Sequence, residues 1–534
     1  MKVGTIGNAA APKTSCPKNN MSDFIRLHAD DNVAIATGPL KIGTCVQVDD
    51  LEIEIAAPIP RGHKFAIREI SNQSRVLKYG QSIGIASETI NVGCHVHSHN
   101  LRDRHRVAET ITTTDPPKSP PAMRRSFEGF RRSDGRVGTR NFVAVMSTVN
   151  CSATVCHRVV ERFDQERMKR WPNVDGVFAA THTTGCALQY DGRKHQMIGR
   201  TMAGYSDHPN VGGCLMIGLG CEQNTPAYLS EHHGVVPLHA QDGTRLTRDD
   251  GVPMLTMQNE GGSAVTIDKA ERLLERVLDL ANRATRSTAD ASSLMIAVEC
   301  GGSDGYSGIT ANPAIGAVSD RIVACGGTSI ISETTELYGA EHLLCQRSRS
   351  PEVAQKLVDL LHWWQKYVAF YGGELDNNPS VGNKAGGLTT ITEKSLGAVS
   401  KSGTTALEAV YDYAERVTAK GLTVMDSPGF DPSSVTGKVA GGANLVLFST
   451  GRGSCFGCKP TPVIKIASNG ALFEHMRDDM DLNAGEAIQG KSIEQLGDEF
   501  LEFALRVASG ERTASERNGF GDYEFIPWTV GPTL

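Results

Sequence analysis

The sequence predicts a multidomain α/β protein, with a small all-β module first, then a linker, then a larger α/β body. Three observations predict it. A chain of 534 residues, at roughly 150 residues per domain, has room for three or four domains. Between residues 22 and 100 the apolar residues come in short Val/Ile-rich runs punctuated by Gly and Pro, the pattern of strands and turns. From residue 127 onward similar runs alternate with helical periodicity, the pattern of parallel strands joined by crossover helices.

Taken in order, residues 1–20 carry no apolar period and read as a disordered tail, with Met21 the expected functional start. Residues 21–100 form the β module, with strands expected at Asn32–Ala36, Lys41–Val48, Leu51–Ala56, His63–Ile67 and Arg75–Tyr79. Residues 101–126, with Pro116, Pro117, Pro120 and Pro121, read as an extended linker. The body divides into a middle α/β domain over 127–288 and a C-terminal one over 289–534, because periodicity weakens between about 283 and 293. Buried strands are expected at Phe142–Val149, Gly176–Thr181, Cys214–Gly218, Leu294–Glu299, Thr328–Ser332, Leu422–Met425, Asn444–Ser449 and Val463–Ala467. A helix after Ser263 places Ala270, Leu273, Leu274, Val277, Leu278 and Ala281 on one face. Another opens on Ser492 with Gln495 three residues later, a capping box, and stops at Gly510.

Composition removes several function classes. Acidic residues outnumber basic ones 60 to 54, for a net charge of -6, so no footprint for a nucleic acid is present. No apolar run approaches 18 residues and the first twenty lack the apolar core of a signal peptide, so no membrane association and a cytoplasmic location are expected. In that setting the 13 cysteines should be free, buried or metal-bound, not paired in a disulfide framework.

The chemistry is expected at the carboxyl ends of the parallel strands, where loops and helix N-termini converge. Four expected strands deliver a cysteine there: Cys151, Cys186 (in His182-Thr-Thr-Gly185-Cys186), Cys221 and Cys300. Thiolates with a nearby His suit iron, an iron–sulfur cluster or zinc, and their dispersed spacing does not choose among these. The one CxxC, Cys455 to Cys458, lacks the second pair a zinc site needs. In the β module His95, His97 and His99 would share one face of an extended strand, about 6–7 Å apart, able to bind a metal or move protons. The glycine loops Gly451–Gly457 and Gly301–Gly308 fail both the dinucleotide fingerprint and the P-loop pattern. Their backbone N–H groups, with Arg452, Lys465 and Lys384 nearby, could still hold a carboxylate.

A set of longer motifs adds a family. The segment Phe127-Glu-Gly-Phe130 through Asp134-Gly-Arg136-Val-Gly-Thr-Arg140-Asn141 resembles the altronate/galactarate dehydratase family of sugar-acid lyases. So do Thr148-Val-Asn150-Cys151, Gly218-Leu-Gly-Cys221-Glu222, Glu299-Cys300-Gly-Gly-Ser-Asp304 and Ser307-Gly-Ile-Thr310-Ala-Asn312-Pro313. Asn378 through Gly387, Thr450-Gly-Arg452-Gly453 and Pro462-Val-Ile-Lys465 extend the match over residues 21–534. The resemblance implies an SAF-type β-clip module, a linker, a middle domain and a Rossmann-like C-terminal domain, assembled as a homodimer. It implies iron-dependent dehydration of a sugar acid to a 2-keto-3-deoxy acid, the iron being Fe2+ or an iron–sulfur cluster, with Mn2+ a substitute. His97-Ser-His99-Asn100 matches the altronate branch, so D-altronate is expected ahead of galactarate or another aldonate or aldarate. A nicotinamide-dependent oxidoreductase and a non-catalytic sugar-acid-binding protein are the readings outside the class.

Dehydration removes the C2 proton and expels the C3 hydroxyl, which calls for a cation, a base and carboxylate-binding groups. For the metal we expect Cys186, Cys221 and Cys300 with Cys151 in reserve, and His182, Asp304 or Glu333 in place of some thiolates around a single iron. For the base we expect His97, His99, His63 or Lys384. For the substrate carboxylate and hydroxyls we expect Arg136, Arg140, Asn312, Arg452 and Lys465.

Overall fold

The computed structural model describes residues 24–107, 115–235, 237–238 (backbone only) and 251–531; the expected tail and the start at Met21 lie outside them. The chain forms two compact units. The first takes the described residues up to Arg104 together with Gly386–Thr390, and the second takes the rest.

The first unit is built from short antiparallel strands. One sheet runs in the order Phe24–Ile25, Val33–Ala36, Lys64–Ala66, His95–Val96; a hairpin pairs Cys45–Val48 with Leu51–Glu54; a third sheet joins Arg75–Lys78, Gln81–Ala86 and Leu101–Arg102. Ala34, Val46, Val48, Ile53, Ile55, Phe65 and Ile67 fill its core, and Val46 and Val48 alternate with exposed Gln47 as the pleat requires. Tyr79 and Gly80 both have positive φ, 64° and 68°, the backbone that a two-residue hairpin turn needs. The segment 386–390 is integral to this unit. Buried Lys64 donates to the Gly387 carbonyl at 2.7 Å and Thr390 Oγ1 to the Ile83 carbonyl at 2.6 Å. Gly387 has φ 102°, and a Cβ there would stand 2.3 Å from the Gly62 carbonyl oxygen.

In the second unit two parallel sheets follow one another. The middle sheet comprises β1 (Phe142–Ser147), β2 (Gly176–Ala180), β3 (Val211–Gly218), β4 (Pro237–Leu238) and β5 (Val252–Thr256), in the order β2-β1-β3-β5-β4. The C-terminal sheet comprises β6 (Met295–Cys300), β7 (Thr328–Ile331), β8 (Leu407–Tyr411), β9 (Gly421–Met425), β10 (Leu445–Thr450), β11 (Val463–Ala467) and β12 (Leu482–Asn483), in the order β8-β9-β7-β6-β10-β11-β12. One apolar cluster joins the sheets, Phe142, Met146, Phe178 and Met202 packing with Val439, Phe448, Val463 and Trp528.

The helix Ser263–Ala281 buries all six of the residues expected on its inner face. The helix Ile493–Ala508 opens on the expected capping box, Ser492 Oγ accepting from Gln495 N and Gln495 Oε1 from Ser492 N. The weakly periodic stretch before residue 293 contains a strand instead of a spacer. Arg286–Asp290 pairs antiparallel with Ser126–Arg131 along a five-residue register. Its sequence, RSTAD, is polar because only Ala289 in it is buried, so no apolar alternation marked it.

Candidate active site

The C-terminal sheet carries its polar groups at one edge for a topological reason. The chain begins at β6, goes out to β7, and later returns to β10 on β6's other side, so the strand order reverses there and the loops diverge. At this edge β6 ends in Glu299-Cys300 and β7 runs into Ser332-Glu333 and Glu336, all five residues being buried. Lys401 Nζ lies 2.8 Å from Cys300 Sγ and 3.6 Å from Glu333 Oε2. Lys394 Nζ donates to Glu336 Oε1 at 2.5 Å and to Asn378 Oδ1 at 3.0 Å, and Asn378 Nδ2 donates to the same Glu336 oxygen at 2.8 Å. Lys438, completely buried, pairs with Glu299, which also accepts from Ser434 Oγ at 2.8 Å. Glu333 holds a left-handed backbone, φ 62°, unusual for a residue with a Cβ and worth about 1–3 kcal/mol of strain.

Burial and charge sort the protons in this nest. Burial works against ionised Glu299, yet the Lys438 charge pulls its carboxyl down to about 2. Burial and the negative charges of Glu299 and Glu336 push Glu333 well above the carboxylate range. The same causes lift Asp431 to about 7. Burial disfavours the ammonium forms of Lys394 and Lys401, but the surrounding carboxylates and Cys300 outweigh it and raise both. Neighbouring carboxyls with opposed protonation are the arrangement that separates an acid from its conjugate partner. Cys300, Glu333 and Glu336 bring their donor atoms within 4.8 Å of one another, as do Glu299, Glu333 and Asp431. Lys394 and Lys401 bring positive charge to the same cluster, on Glu336 and Cys300, while both Glu333 carboxyl oxygens and Glu299 Oε1 are buried without a hydrogen bond. Cys300 and Glu333, expected as metal ligands, stand together in one of these donor sets, with Lys401 beside both.

Asp304 stands in neither donor set. Its Oδ1 accepts from Tyr306 N, Ser307 N, Ser307 Oγ and Ser468 Oγ, and Oδ2 from Asn469 Nδ2; the carboxylate organises its loop. Arg140, expected at the substrate, spends all five donors internally, two on Glu516 and three on the carbonyls of Thr139, Val507 and Glu511. Lys465 is buried on Phe456 O and Ser515 Oγ. Asn312 donates to Gly397 O and accepts from Ser449 Oγ. These three hold the scaffold. Arg136 is paired with Asp134 and Asp207 beside a cavity of about 650 Å³. Arg452 differs: its side chain is exposed while its backbone N–H donates to Gly302 O at 2.8 Å, fixing it over the loop that follows Cys300. Lys384 lies on the short helix Val381–Ala385, whose Asn383 is tied to Ser303 O at 2.8 Å.

A second group lies at the carboxyl edge of the middle sheet. Cys151 follows β1, Cys186 follows β2 and Cys221 follows β3, three neighbouring parallel strands. The loops are tied together, Asn150 N donating to Thr184 O at 2.8 Å and Gln223 N to Gly185 O at 2.9 Å. Gly185, φ 115°, makes the approach feasible, since a Cβ there would sit 2.7 Å from both Thr148 O and Val149 Cα. Burial and the adjacent thiols of Cys151 and Cys221 raise the Cys186 thiol. Glu222 bridges the first and third loops, accepting from Thr148 Oγ1 at 2.7 Å and Gly220 N at 2.6 Å.

His182 is buried below this edge, its Nδ1 facing Thr184 N at 3.3 Å, and burial lowers it from 6.5 to about 4. A folded-state pKa below the unfolded one means the unfolded chain binds the extra proton. Stability from this group is therefore complete above pH 6.5 and is lost as pH falls towards 4, by about 3 kcal/mol in all. Urea midpoints measured across that window should fall more steeply for the protein than for His182→Asn.

In the first unit the histidines do gather, but not along a strand. The strand stops at Val96 and the chain turns, with Asn100 Oδ1 accepting from His97 N at 3.0 Å and Asn100 Nδ2 donating to His95 O at 3.0 Å. The turn stacks His97 on His95 and on His63, ring centroids 5.2 and 5.0 Å apart, while His99 stands 5.5 Å from His95. His63 Nδ1 and His95 Nε2 are 3.0 Å apart. Burial and the neighbouring imidazoles lower His95 to about 3, so this member of the group is uncharged at neutral pH.

Sequence reasoning missed Lys394, Lys401, Lys438, Glu299, Glu336 and Asp431. A usable signal was present for two of them: Glu299 stands inside the buried run Met295–Cys300, and Lys438 inside Val435–Val439. Charges in such places need partners.

Buried carboxyls and lysines thus gather at the reversal point of a parallel sheet, where open α/β enzymes bind small ligands, and comparison with known proteins supplies the family. Three family models match in order: the altronate/galactarate dehydratase SAF domain over residues 22–104, the D-galactarate dehydratase/altronate hydrolase second domain over 129–282, and the D-galactarate/altronate dehydratase C-terminal domain over 291–533. The chain is 36% identical to an altronate dehydratase of Escherichia coli over 503 residues, covering 93% of this chain and 97% of that one. It is 35% identical to an altronate dehydratase of Bacillus subtilis, covering 94% and 98%, and 36% identical to the L-threo-forming galactarate dehydratase of E. coli, covering 92% and 93%. The chain belongs to the altronate/galactarate dehydratase family and is a hydro-lyase of the sugar-acid dehydratase type. None of its described helices is long and apolar enough to cross a membrane.

Proposed function

We propose that the protein dehydrates D-altronate to 2-keto-3-deoxy-D-gluconate and water with the help of iron; galactarate is the second reading, because a galactarate dehydratase is as similar as the altronate dehydratases. The feature that carries the chemistry is the Glu333 carboxyl, buried at the edge of β6 and β7 with Lys401 at 3.6 Å and pushed above the carboxylate range by burial, Glu299 and Glu336. Loss of the C3 hydroxyl needs a proton donor that survives at neutral pH, and a carboxyl kept neutral by buried negative neighbours is one. Arg452, exposed above the same loop, is the group for the substrate carboxylate. Iron would supply Lewis acidity for the charge that develops next to that carboxylate as C2 loses its proton. Thiolates suit iron, and Cys151, Cys186 and Cys221 are the residues that would hold it.

The base is assigned to the histidine group of the β module, where His95 stays neutral and His97 and His99 stand beside it. The double variant His97→Ala/His99→Ala should lose at least a hundred-fold in kcat, in the range general base catalysis contributes, about 10²–10⁴-fold, with its thermal midpoint little changed. Unchanged turnover would remove the module from the chemistry. Turnover by anaerobically purified, iron-supplied protein on D-altronate beside galactarate, followed as 2-keto-3-deoxy acid, tests the substrate. Product from altronate alone supports the first reading, product from galactarate alone the second, and product from neither, with iron bound, overturns both.

A further inference from the structure

The Glu333 carboxyl is placed without being tied. Both of its oxygens are buried and neither makes a hydrogen bond, and Lys401 Nζ stands 3.6 Å away. A side chain with no bonds of its own takes its direction from its rotamer and the backbone that carries it. That backbone is left-handed, φ 62° and ψ 61°, a conformation that a residue with a Cβ keeps only where its surroundings impose it. What imposes it here lies on the neighbouring strand.

Strands β7 and β9 are parallel neighbours, in register from Thr328 against Gly421 to Ile331 against Val424. Past the sheet edge their chains stay joined by hydrogen bonds. Glu333 N donates to Ser427 Oγ at 2.9 Å, and Thr334 N to the Ser427 carbonyl at 3.0 Å. Thr334 Oγ1 donates to Asp426 Oδ1 at 2.6 Å and accepts from Ser427 N at 3.3 Å. Asp426 is fully buried. Trp364 Nε1 donates to the same Asp426 oxygen at 2.8 Å, and the other oxygen faces Arg193 Nη2 at 3.5 Å. The bonds from Glu333 N and Thr334 N fall on the two peptide groups that flank the Glu333 Cα. Each peptide is planar, so fixing both planes fixes φ and ψ of residue 333 together.

We propose that Ser427 and Asp426, acting through Thr334, are positioning residues for the dehydration: they hold residue 333 in its left-handed conformation, and that conformation aims the Glu333 carboxyl at the departing hydroxyl. The inference rests on the reading of Glu333 as the acid. Trp364 is the brace that keeps Asp426 Oδ1 turned to Thr334. The indirect route has a chemical reason. Donors placed on the carboxyl itself would fix its direction but would favour the ionised form, whereas a clamp on the backbone fixes the direction and leaves the proton in place.

The experiment makes Thr334→Val, Ser427→Ala, Asp426→Ala and Asp426→Asn in the full-length protein, each alone and combined with Glu333→Gln. Turnover is followed on D-altronate and galactarate with anaerobic, iron-supplied protein. Thr334→Val, Ser427→Ala and Asp426→Ala should each lose about a hundred-fold in kcat, the cost of misplacing a reacting group by about 1 Å. KM should stay near its original value, since Arg452 lies outside the clamp. Asp426→Asn keeps an oxygen for Thr334 and Trp364 and should keep most of the turnover. Combined with Glu333→Gln the same changes should cost nothing further, because no acid remains to be misaimed. Residues that only support the fold would lower both backgrounds by one factor. Circular dichroism checks that each variant is folded, and crystal structures of Thr334→Val and Asp426→Ala should show residue 333 outside the left-handed region. Residue 333 unmoved in both structures would overturn the proposal without any assay of turnover. Loss of turnover in Glu333→Gln beside full turnover in Thr334→Val and Asp426→Ala would overturn this proposal alone, as would equal losses in the two backgrounds. Full turnover in Glu333→Gln would overturn the acid reading, and this proposal with it.

Discussion

Replacing Glu333 with Gln should lower kcat by about 10²–10⁴-fold, the contribution of a positioned proton donor, while leaving the urea midpoint nearly unmoved. The asymmetry follows from the charge state. Glu333 faces Glu299 and Glu336 in a fully buried setting that disfavours its ionised form, and a neutral amide of the same shape matches the protonated carboxyl on which this reading rests. What Gln cannot do is give up a proton to a departing hydroxyl. Glu333→Ala is the companion: it should lose the same activity but also stability, since it opens a void beside Lys401. Retained turnover in Glu333→Gln would refute its role as the acid. A large drop in the urea midpoint in the same variant would show that the carboxyl is ionised and paired with Lys401.

The second large effect is structural. Lys438 and Glu299 are both completely inaccessible, and Lys438 also donates to the Val298 carbonyl at 2.8 Å. Removing one member of such a pair leaves the other charged and unsolvated, which costs about 3–5 kcal/mol, whereas removing both together is far cheaper. Lys438→Met should therefore show a strongly lowered denaturant midpoint, and Glu299→Gln/Lys438→Met should recover most of it. Equal midpoints for the single and double variants would mean that the lysine acts by filling space alone. Activity should not recover with stability in the double variant, because the negative charge of Glu299 is one of those that keep Glu333 protonated.

Much of this architecture was legible because the signals were apolar and local. Strands such as Val463–Ala467 and the helix Ser263–Ala281 declare themselves by what they bury. Arg286–Asp290 did not, since its partner strand lies about 160 residues away and only one of its side chains faces the core. The address of the polar groups was legible too, because parallel strands put their loops at one edge. Their assignment was not. Arg140, Asn312 and Lys465 have the right chemistry for a substrate and sit in long family-like motifs, but whether a guanidinium points at a ligand or at five internal acceptors depends on the packing of residues such as Glu516 and Val507 far along the chain. Likewise Cys300 looked equivalent to the other strand-end cysteines until Lys401, a hundred residues on, was placed against it.

The five residues 386–390, which the first unit takes from the far side of the chain, bear on how this protein can be divided. The polypeptide passes between the units not once, after Arg104, but again on entering and on leaving that segment. A gene cut at the obvious junction would yield an N-terminal fragment in which buried Lys64 has lost the Gly387 carbonyl and Ile83 the hydroxyl of Thr390. Such halves are not interchangeable parts. Exchange of the module between relatives would have to carry residues 386–390 with it, and recombination that respects only linear boundaries should give insoluble fragments or chimeras, while co-expression of both pieces should rescue the fold.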